Sequence, residues 1–269
     1  MILQEKFYIC KKQDDMAGIA ERRKYILDSI VRDGLVKVAD LASSLGVTQT
    51  TIRKDLNHLE QEGLLYRAYG SALPTTIPVM DINLNNKKLI NFEAKQRIAR
   101  AAATMIEEND SIILSSGSSI AIFAESLKAK GRLNVVTTAV NISMHLGDVQ
   151  GVTVMQVGGI LYSNTLSVVG NDAIQAIKSV YCSKLFIGVD GFSLDHGITC
   201  GTVEEAELTQ QMINSAAQTI VLADSSKLGK RGFARICSID KISVIITDSG
   251  LPEESRRLIE ALGVRVVIA

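Results

Sequence analysis

The chain has 269 residues, 29 Lys/Arg balanced by 29 Asp/Glu, and 46% hydrophobic residues. This composition describes a soluble globular protein long enough for one large domain or two. No run of about 18 apolar residues occurs, so no membrane span is expected, and the start MILQEKFYICKKQDD lacks the apolar core and small-residue cleavage site of a signal peptide.

Residues 1–15 are expected to form a tail, with Met16 an alternative start. Cys10, Cys182, Cys200 and Cys237 show no C-x-x-C spacing. A zinc site or disulfide framework is not expected, no metal or cofactor is anticipated, and the cytoplasm is the natural compartment. Cys182, Cys200 and Cys237 read as small buried residues.

From Ile19 to Asp33 the apolar residues Ile26, Leu27, Ile30 and Val31 fall on one helical stripe, and Gly34 suits a helix stop. Val38 to Gly63 then reads VADLASSLGVTQTTIRKDLNHLEQEG. A short helix with Leu41, Ala42 and Leu45 inward meets a turn at Gly46. Thr48 suits the N-cap of the next helix. In that helix Ile52, Leu56 and Leu59 recur at i, i+4 and i+7 and predict the buried stripe. At about 100° per residue, Thr50, Lys54 and Asn57 lie opposite it, with Arg53 on the flank. Gln49 sits at the helix start, where base edges are met. LLYRAYGSAL follows and predicts a β-hairpin wing carrying Arg67. The pattern is a winged helix-turn-helix that fits double-stranded DNA through Thr48, Gln49, Thr50, Thr51, Arg53, Lys54, Asn57 and Arg67. From Met16 to Ala72 there are eight Lys/Arg against seven Asp/Glu. Recognition must therefore come from placement rather than bulk charge. Asp55 is expected to support local structure, since an anion facing phosphates would repel them.

Residues 16–73 are thus expected to form the DNA-binding domain, 74–90 a linker with little periodicity, and 91–269 a second domain. Asn91 to Glu107 predicts a helix with Ile98, Ala102, Met105 and Ile106 inward. Apolar strand candidates follow: SIILS from Ser111, LNVVTT from Leu133, VTVMQVG from Val152, KLFIGVD from Lys184, TIVLAD from Thr219, ISVIITD from Ile242, and VRVVI at the end. Continuous apolar strands separated by helices predict a Rossmann-like α/β domain, a mostly parallel sheet covered on both faces. Ligands on such sheets sit at strand carboxyl ends.

Polar clusters fall at those ends. Ser116, Gly117, Ser118 and Ser119 open a helix and offer N–H groups and hydroxyls to an anion, although a serine-rich N-cap alone explains them equally well. Thr137 and Thr138 follow the second strand, and Gly158 and Gly159 the third. Asp190 closes LFIGVD. Lys227 follows TIVLAD and suits a phosphate as a point charge. Glu204 and Glu205 begin a helix, where complementing its dipole is the simpler role. Taken jointly, Ser116, Gly117, Ser118, Ser119, Thr137, Thr138, Gly158, Gly159, Asp190, Glu205 and Lys227 predict a site for a phosphate-bearing effector.

VTQTTIRKDLNHLEQEG and RAYGSA resemble the DeoR family of bacterial transcriptional regulators, whose signature contains V-S-x-x-T-I-R-x-D-L-x-x-L, E-x-x-G and R-x-H-G-G-A. Tyr69 and Ser71 depart from it. In the larger domain the family's D-S-G-T-T stands as SSGSS, its T-N as Thr137-Thr138, its G-G as Gly158-Gly159, its E-A as Glu205-Ala206 and its L-A-D-x-S-K as LADSSK. The resemblance implies a sensor domain similar in fold to sugar-phosphate isomerases and CoA transferases, with those motifs binding a phosphorylated sugar. Ser115 stands where the family has aspartate and Thr138 where it has asparagine, which implies an unusual effector or a weakened pocket. GVDGFSLDHGITCGTVEEAEL looks closest to regulators of amino-sugar use, especially of N-acetylgalactosamine.

The resemblance implies a repressor of a sugar-utilisation operon, released by a small phosphorylated sugar. A homodimer or homotetramer is expected, because helix-turn-helix proteins read paired half-sites. The alternative is a sugar-phosphate isomerase-like enzyme with an appended DNA-binding domain, for which Asp190, Glu205 and Asp224 are the available bases. No nucleophile elbow or dinucleotide glycine fingerprint supports it.

Overall fold

The computed structural model describes residues 18–30, 33, 36–61, 64–68, 71–74 and 84–269. The chain divides into two compact units, with the boundary between residues 78 and 79.

In the first unit residues 18–30 form helix α1. Strand β1 (Val36–Lys37), α2 (Val38–Leu45), α3 (Gln49–Gln61), β2 (Leu65–Ala68) and β3 (Ser71–Pro74) follow. The apolar stripes read from the sequence meet in one core: Ile26 and Ile30, Leu41 and Ala42, and Ile52, Leu56 and Leu59. Helix α2 closes on Gly46 at φ 64°, and the Val47 N–H donates back to the Ala42 carbonyl at 3.1 Å. β2 and β3 form an antiparallel hairpin, and β1 joins it on the β3 side. This is a winged helix-turn-helix. The helix stop expected at Gly34 lies outside the described residues.

The second unit is built on seven parallel strands: β4 (Ser111–Leu114), β5 (Leu133–Thr137), β6 (Val152–Gln156), β9 (Cys182–Ile187), β12 (Ala216–Leu222), β14 (Val244–Thr247) and β15 (Arg265–Ile268). Each of the apolar runs predicted as a strand is one of these. On one sheet face α5 (Phe92–Ala103), α6 (Ser118–Ser126) and α7 (Val140–Leu146) pack against Ile112, Leu114, Val135, Phe186 and Ile220. On the other, α8 (Asn171–Lys178), α9 (Val203–Asn214) and α10 (Glu253–Ala261) cover Ile113, Leu185, Val221 and Ile245. Alternate residues of each central strand therefore enter different cores, which explains why these strands read as unbroken apolar runs.

Two smaller features were not legible as strands: the hairpin of β7 (Ile160–Tyr162) and β8 (Ser167–Val169), and an antiparallel sheet of β10 (Gly191–Ser193), β11 (Gly197–Cys200) and β13 (Ala234–Cys237). The stretch 74–90, expected to be a linker, also carries a helix, α4 (Leu84–Leu89).

The sheet order is β15-β14-β12-β9-β4-β5-β6. Chain order runs outward from β4 to β6, then restarts at β9 on the other side. The switch point of this doubly wound sheet lies between β4 and β9, where a crevice opens at the strand carboxyl ends.

Candidate functional site

The exposed side of α3 is built as its periodicity requires. Gln49, Thr50, Arg53, Lys54 and Asn57 are exposed, whereas Ile52 and Leu56 are fully buried. The Thr48 hydroxyl accepts the Thr51 N–H at 3.2 Å, and the two threonine hydroxyls lie 2.9 Å apart. Thr48 and Thr51 thus serve the helix cap. Arg53 reaches back to Gln49 Oε1 at 3.3 Å, so two groups suited to base edges already order each other. Asp55 is buried and binds Arg22 at 2.5 Å and Arg23 at 3.2 Å. It ties α1 to the helix. Arg67 stands on β2 opposite Ala72.

In the second unit a pocket of about 320 Å³ lies at the switch point. Its floor is the turn from β4 into α6. Gly117 caps α6 at φ 110°, a conformation that favours glycine, and places Ser118 and Ser119 in the first turn. Phe123 of α6 packs on Phe186 of β9 at 4.7 Å between ring centroids, which fixes the helix over the sheet. Across the crevice, Gly188, Val189 and Asp190 leave the end of β9. Asp190 lies in the loop to β10, beyond the strand it was expected to end.

Lys227 and Glu205 complete the polar wall. Asp224 is buried and accepts from Ser226 N–H at 3.2 Å, capping a 3-10 turn that ends at Lys227. Asn91 Nδ2 donates to the same carboxylate at 2.8 Å. The aspartate of LADSSK thus shapes the turn, and its lysine lines the pocket. Burial lowers the Lys227 pKa; Asp190 and Asp224 oppose this, and Lys87 and Lys230 reinforce it. The Thr202 hydroxyl accepts the Glu205 N–H at 3.1 Å and caps α9. Burial, then the nearby Asp190 charge, pushes the Glu205 carboxyl up to about 7. Asp190 and Glu205 therefore share the pocket with Lys87, Lys227 and the N-terminus of α6.

Of the residues predicted to bind an effector, Ser116, Gly117, Ser118, Ser119, Asp190, Glu205 and Lys227 meet around this pocket. Thr137, Thr138, Gly158 and Gly159 do not line it. Thr137 is fully buried, and its hydroxyl accepts the Ala139 N–H at 3.1 Å. Thr138 borders a small cavity of about 10 Å³ with Ser115 and Ser167, which shares Ser116, Gly188, Cys200 and Glu205 with the larger pocket. Gly159 serves packing: an added Cβ would fall 2.6 Å from the Val169 carbonyl oxygen.

The sequence reading missed Lys87 and Leu84 of α4, residues Tyr162–Thr165 of the β7–β8 turn, and Cys200–Thr202. Lys87 Nζ approaches Asp190 Oδ1 at 3.4 Å. The T-x-x-E spacing of Thr202 and Glu205 was a detectable capping signal; a six-residue helix inside an apparent linker carried none. Cys200 is buried, and burial, with the Glu205 charge second, drives its thiol pKa upward. It is a neutral thiol rather than a nucleophile.

The model of the DeoR-like helix-turn-helix domain matches residues 22–76, and that of the DeoR C-terminal sensor domain matches residues 90–249. The chain belongs to the DeoR family. It is a DNA-binding transcriptional regulator with a DeoR sensor domain. A protein of Escherichia coli O157:H7, provisionally named an aga operon transcriptional repressor, is 32% identical over 94% of this chain and 95% of its own length. The repressor GlcR of Bacillus subtilis (strain 168) is 31% identical over 87% of this chain and 90% of its own. Among solved structures, ribose 5-phosphate isomerase A from Methanocaldococcus jannaschii aligns with 51% of this DeoR chain and 55% of its own at 16% identity, with a TM-score of 0.37. Among the described residues, no helix is long and apolar enough to cross a membrane.

Proposed function

We propose that this DeoR regulator represses a sugar-utilisation operon in the cytoplasm and leaves its operator when a phosphorylated amino sugar fills the pocket. The observation that carries this reading is the pairing of opposite chemistries in one pocket. The α6 N-terminus with Lys87 and Lys227 suits a phosphate. Asp190 and Glu205, the latter with a pKa raised first by burial and then by the Asp190 charge, suit an ammonium group or sugar hydroxyls. The resemblance of GVDGFSLDHGITCGTVEEAEL to regulators of amino-sugar use supports an amino-sugar signal.

On DNA, α3 enters the major groove with Gln49, Thr50, Arg53, Lys54 and Asn57 toward base edges and phosphates, and the wing brings Arg67 alongside. Two or four copies bind paired half-sites. The effector binds the low-affinity state preferentially, and that difference in affinity shifts the population off DNA.

Thermal unfolding against galactosamine 6-phosphate, glucose 6-phosphate, free galactosamine and inorganic phosphate tests the effector class. At a hundred- to thousandfold excess over Kd, the matching sugar should add roughly 3–4 kcal/mol to apparent stability. A shift with free galactosamine equal to that with its phosphate would remove the phosphate from the reading. A second reading, isomerisation, draws on one observation: a pocket carboxyl near neutrality suits a general base. Turnover of a hexosamine phosphate would support it; binding without turnover supports a sensor alone.

A further inference from the structure

Lys95 of α5 is only 3% exposed and does not line the pocket. Lysines are rarely so buried unless paired. Here, among the described residues, the ammonium makes no ion pair. Its Nζ donates instead to the main-chain carbonyl of Lys87 at 2.5 Å. That carbonyl belongs to the last turn of α4, where helix carbonyls lack intrahelical partners. At the other end of α4 the Leu84 N–H donates to the Asn164 carbonyl at 2.9 Å. The six-residue helix is therefore held at both ends, to the β7–β8 turn and to α5. Between these ties Lys87 lines the pocket and meets Asp190.

We propose that Lys95 is the positioning residue of the effector site: by holding the Lys87 carbonyl it straps α4 across the pocket and sets where the Lys87 ammonium meets a bound anion. This rests on the pocket being an anion site.

The charges around Lys95 give the strap a second property. Burial lowers its pKa to about 7; Asp224 opposes this, and Lys227 and Lys87 reinforce it. An anion held between Lys87 and Lys227 offsets their repulsion and favours charged Lys95. Binding therefore takes up a proton near neutral pH and tightens the strap.

The test is calorimetric titration of wild type, Lys95→Arg and Lys95→Met with inorganic phosphate and with galactosamine 6-phosphate, at pH 6.5 and 8.5, in buffers of differing ionisation enthalpy. Ionisation of the ligands themselves is the same in all three titrations, so the difference between the proteins reports the loss of the Lys95 ammonium. Wild type should take up protons on binding, and its affinity should fall toward pH 8.5 by about tenfold per unit by which the anion raises Lys95. K95R should keep affinity and lose the Lys95 part of that fall. K95M should bind at least tenfold more weakly at pH 6.5 without the proton uptake. A tie that served folding alone would lower the unfolding temperature of K95M while leaving affinity and proton uptake as in wild type, and that result overturns the inference. If K95M does not fold, K95R decides: a pH profile identical to wild type overturns it. If wild type binds neither anion, the pocket reading fails and the inference with it; if wild type binds and the variants match it, only the role of Lys95 fails.

Discussion

Lys87 Nζ lies 3.4 Å from Asp190 Oδ1 at the pocket wall, so one of the cations available to a phosphate is partly engaged by a carboxylate of the same pocket. An incoming phosphate competes with Asp190, and an incoming ammonium competes with Lys87. A zwitterionic ligand satisfies both. Asp190→Asn should therefore bind inorganic phosphate several-fold more tightly and discriminate less between galactosamine 6-phosphate and glucose 6-phosphate. Calorimetry of the three ligands checks this, and weaker phosphate binding would show that Asp190 does not compete for the lysine.

Lys227→Ala should leave DNA affinity intact and raise the sugar phosphate concentration needed for release by tenfold or more. The lysine sits on a turn held by Asp224 and Asn91, so its removal takes away a charge without loosening the sheet. Release at the wild-type concentration would assign the phosphate to other groups.

On the DNA side, Arg53→Ala should weaken binding by about 1–3 kcal/mol if the guanidinium reads a base. Thr48→Ala should act differently. It removes the cap accepted from Thr51 N–H and should lower stability of the DNA-binding domain by about 1 kcal/mol. Gel-shift titration and thermal unfolding of both variants separate readout from folding.

The pH dependence of stability has a sign set by Glu205. Its folded pKa, about 7, lies above the ordinary 4.5. Between those values the folded state holds a proton that the unfolded chain has lost. This contribution is fully present below pH 4.5 and disappears as pH rises through about 7. Lys95 acts in a higher window, because its folded pKa of about 7 lies below the ordinary 10.5; there the unfolded chain binds more protons, and stability rises with pH. Chemical unfolding at intervals from pH 4.5 to 7 should show Glu205→Gln losing the falling slope of wild type. Parallel slopes would mean that Glu205 titrates normally.

A structural pair away from the pocket sets the β4–β9 junction. Lys184 Nζ binds buried Asp110 at 2.8 Å, and Ser183 Oγ donates to the same carboxylate at 2.5 Å. Lys184→Met leaves that carboxylate buried without its cation and should cost roughly 3–5 kcal/mol. Denaturant unfolding measures this, and a loss under 1 kcal/mol would show that Asp110 is readily neutralised or hydrated.

The periodic elements were readable from residues alone. Ile52, Leu56 and Leu59 announce α3, and the unbroken apolar runs announce the seven parallel strands because both faces of that sheet are covered. The site was readable where a motif sits at a strand end, as with Ser116–Ser119 and Lys227. It was not readable where tertiary contact creates it. The strand-end rule also drew in Thr137 and Gly159, whose roles are an internal hydrogen bond and close packing against Val169. Lys87 escaped notice because α4 is too short for periodicity to show; Leu84–Asn164 and Lys87–Lys95 contacts secure it, and both partners are distant in sequence or hidden in a longer helix.

The most direct test selects a duplex from a random pool with the full-length protein and follows its release by fluorescence anisotropy as sugars are added. The account predicts release by a phosphorylated amino sugar, no release by the same sugar without phosphate, and a rightward shift in Lys227→Ala. Release by the free sugar as readily as by its phosphate, or release unaffected by Lys227→Ala, would contradict it.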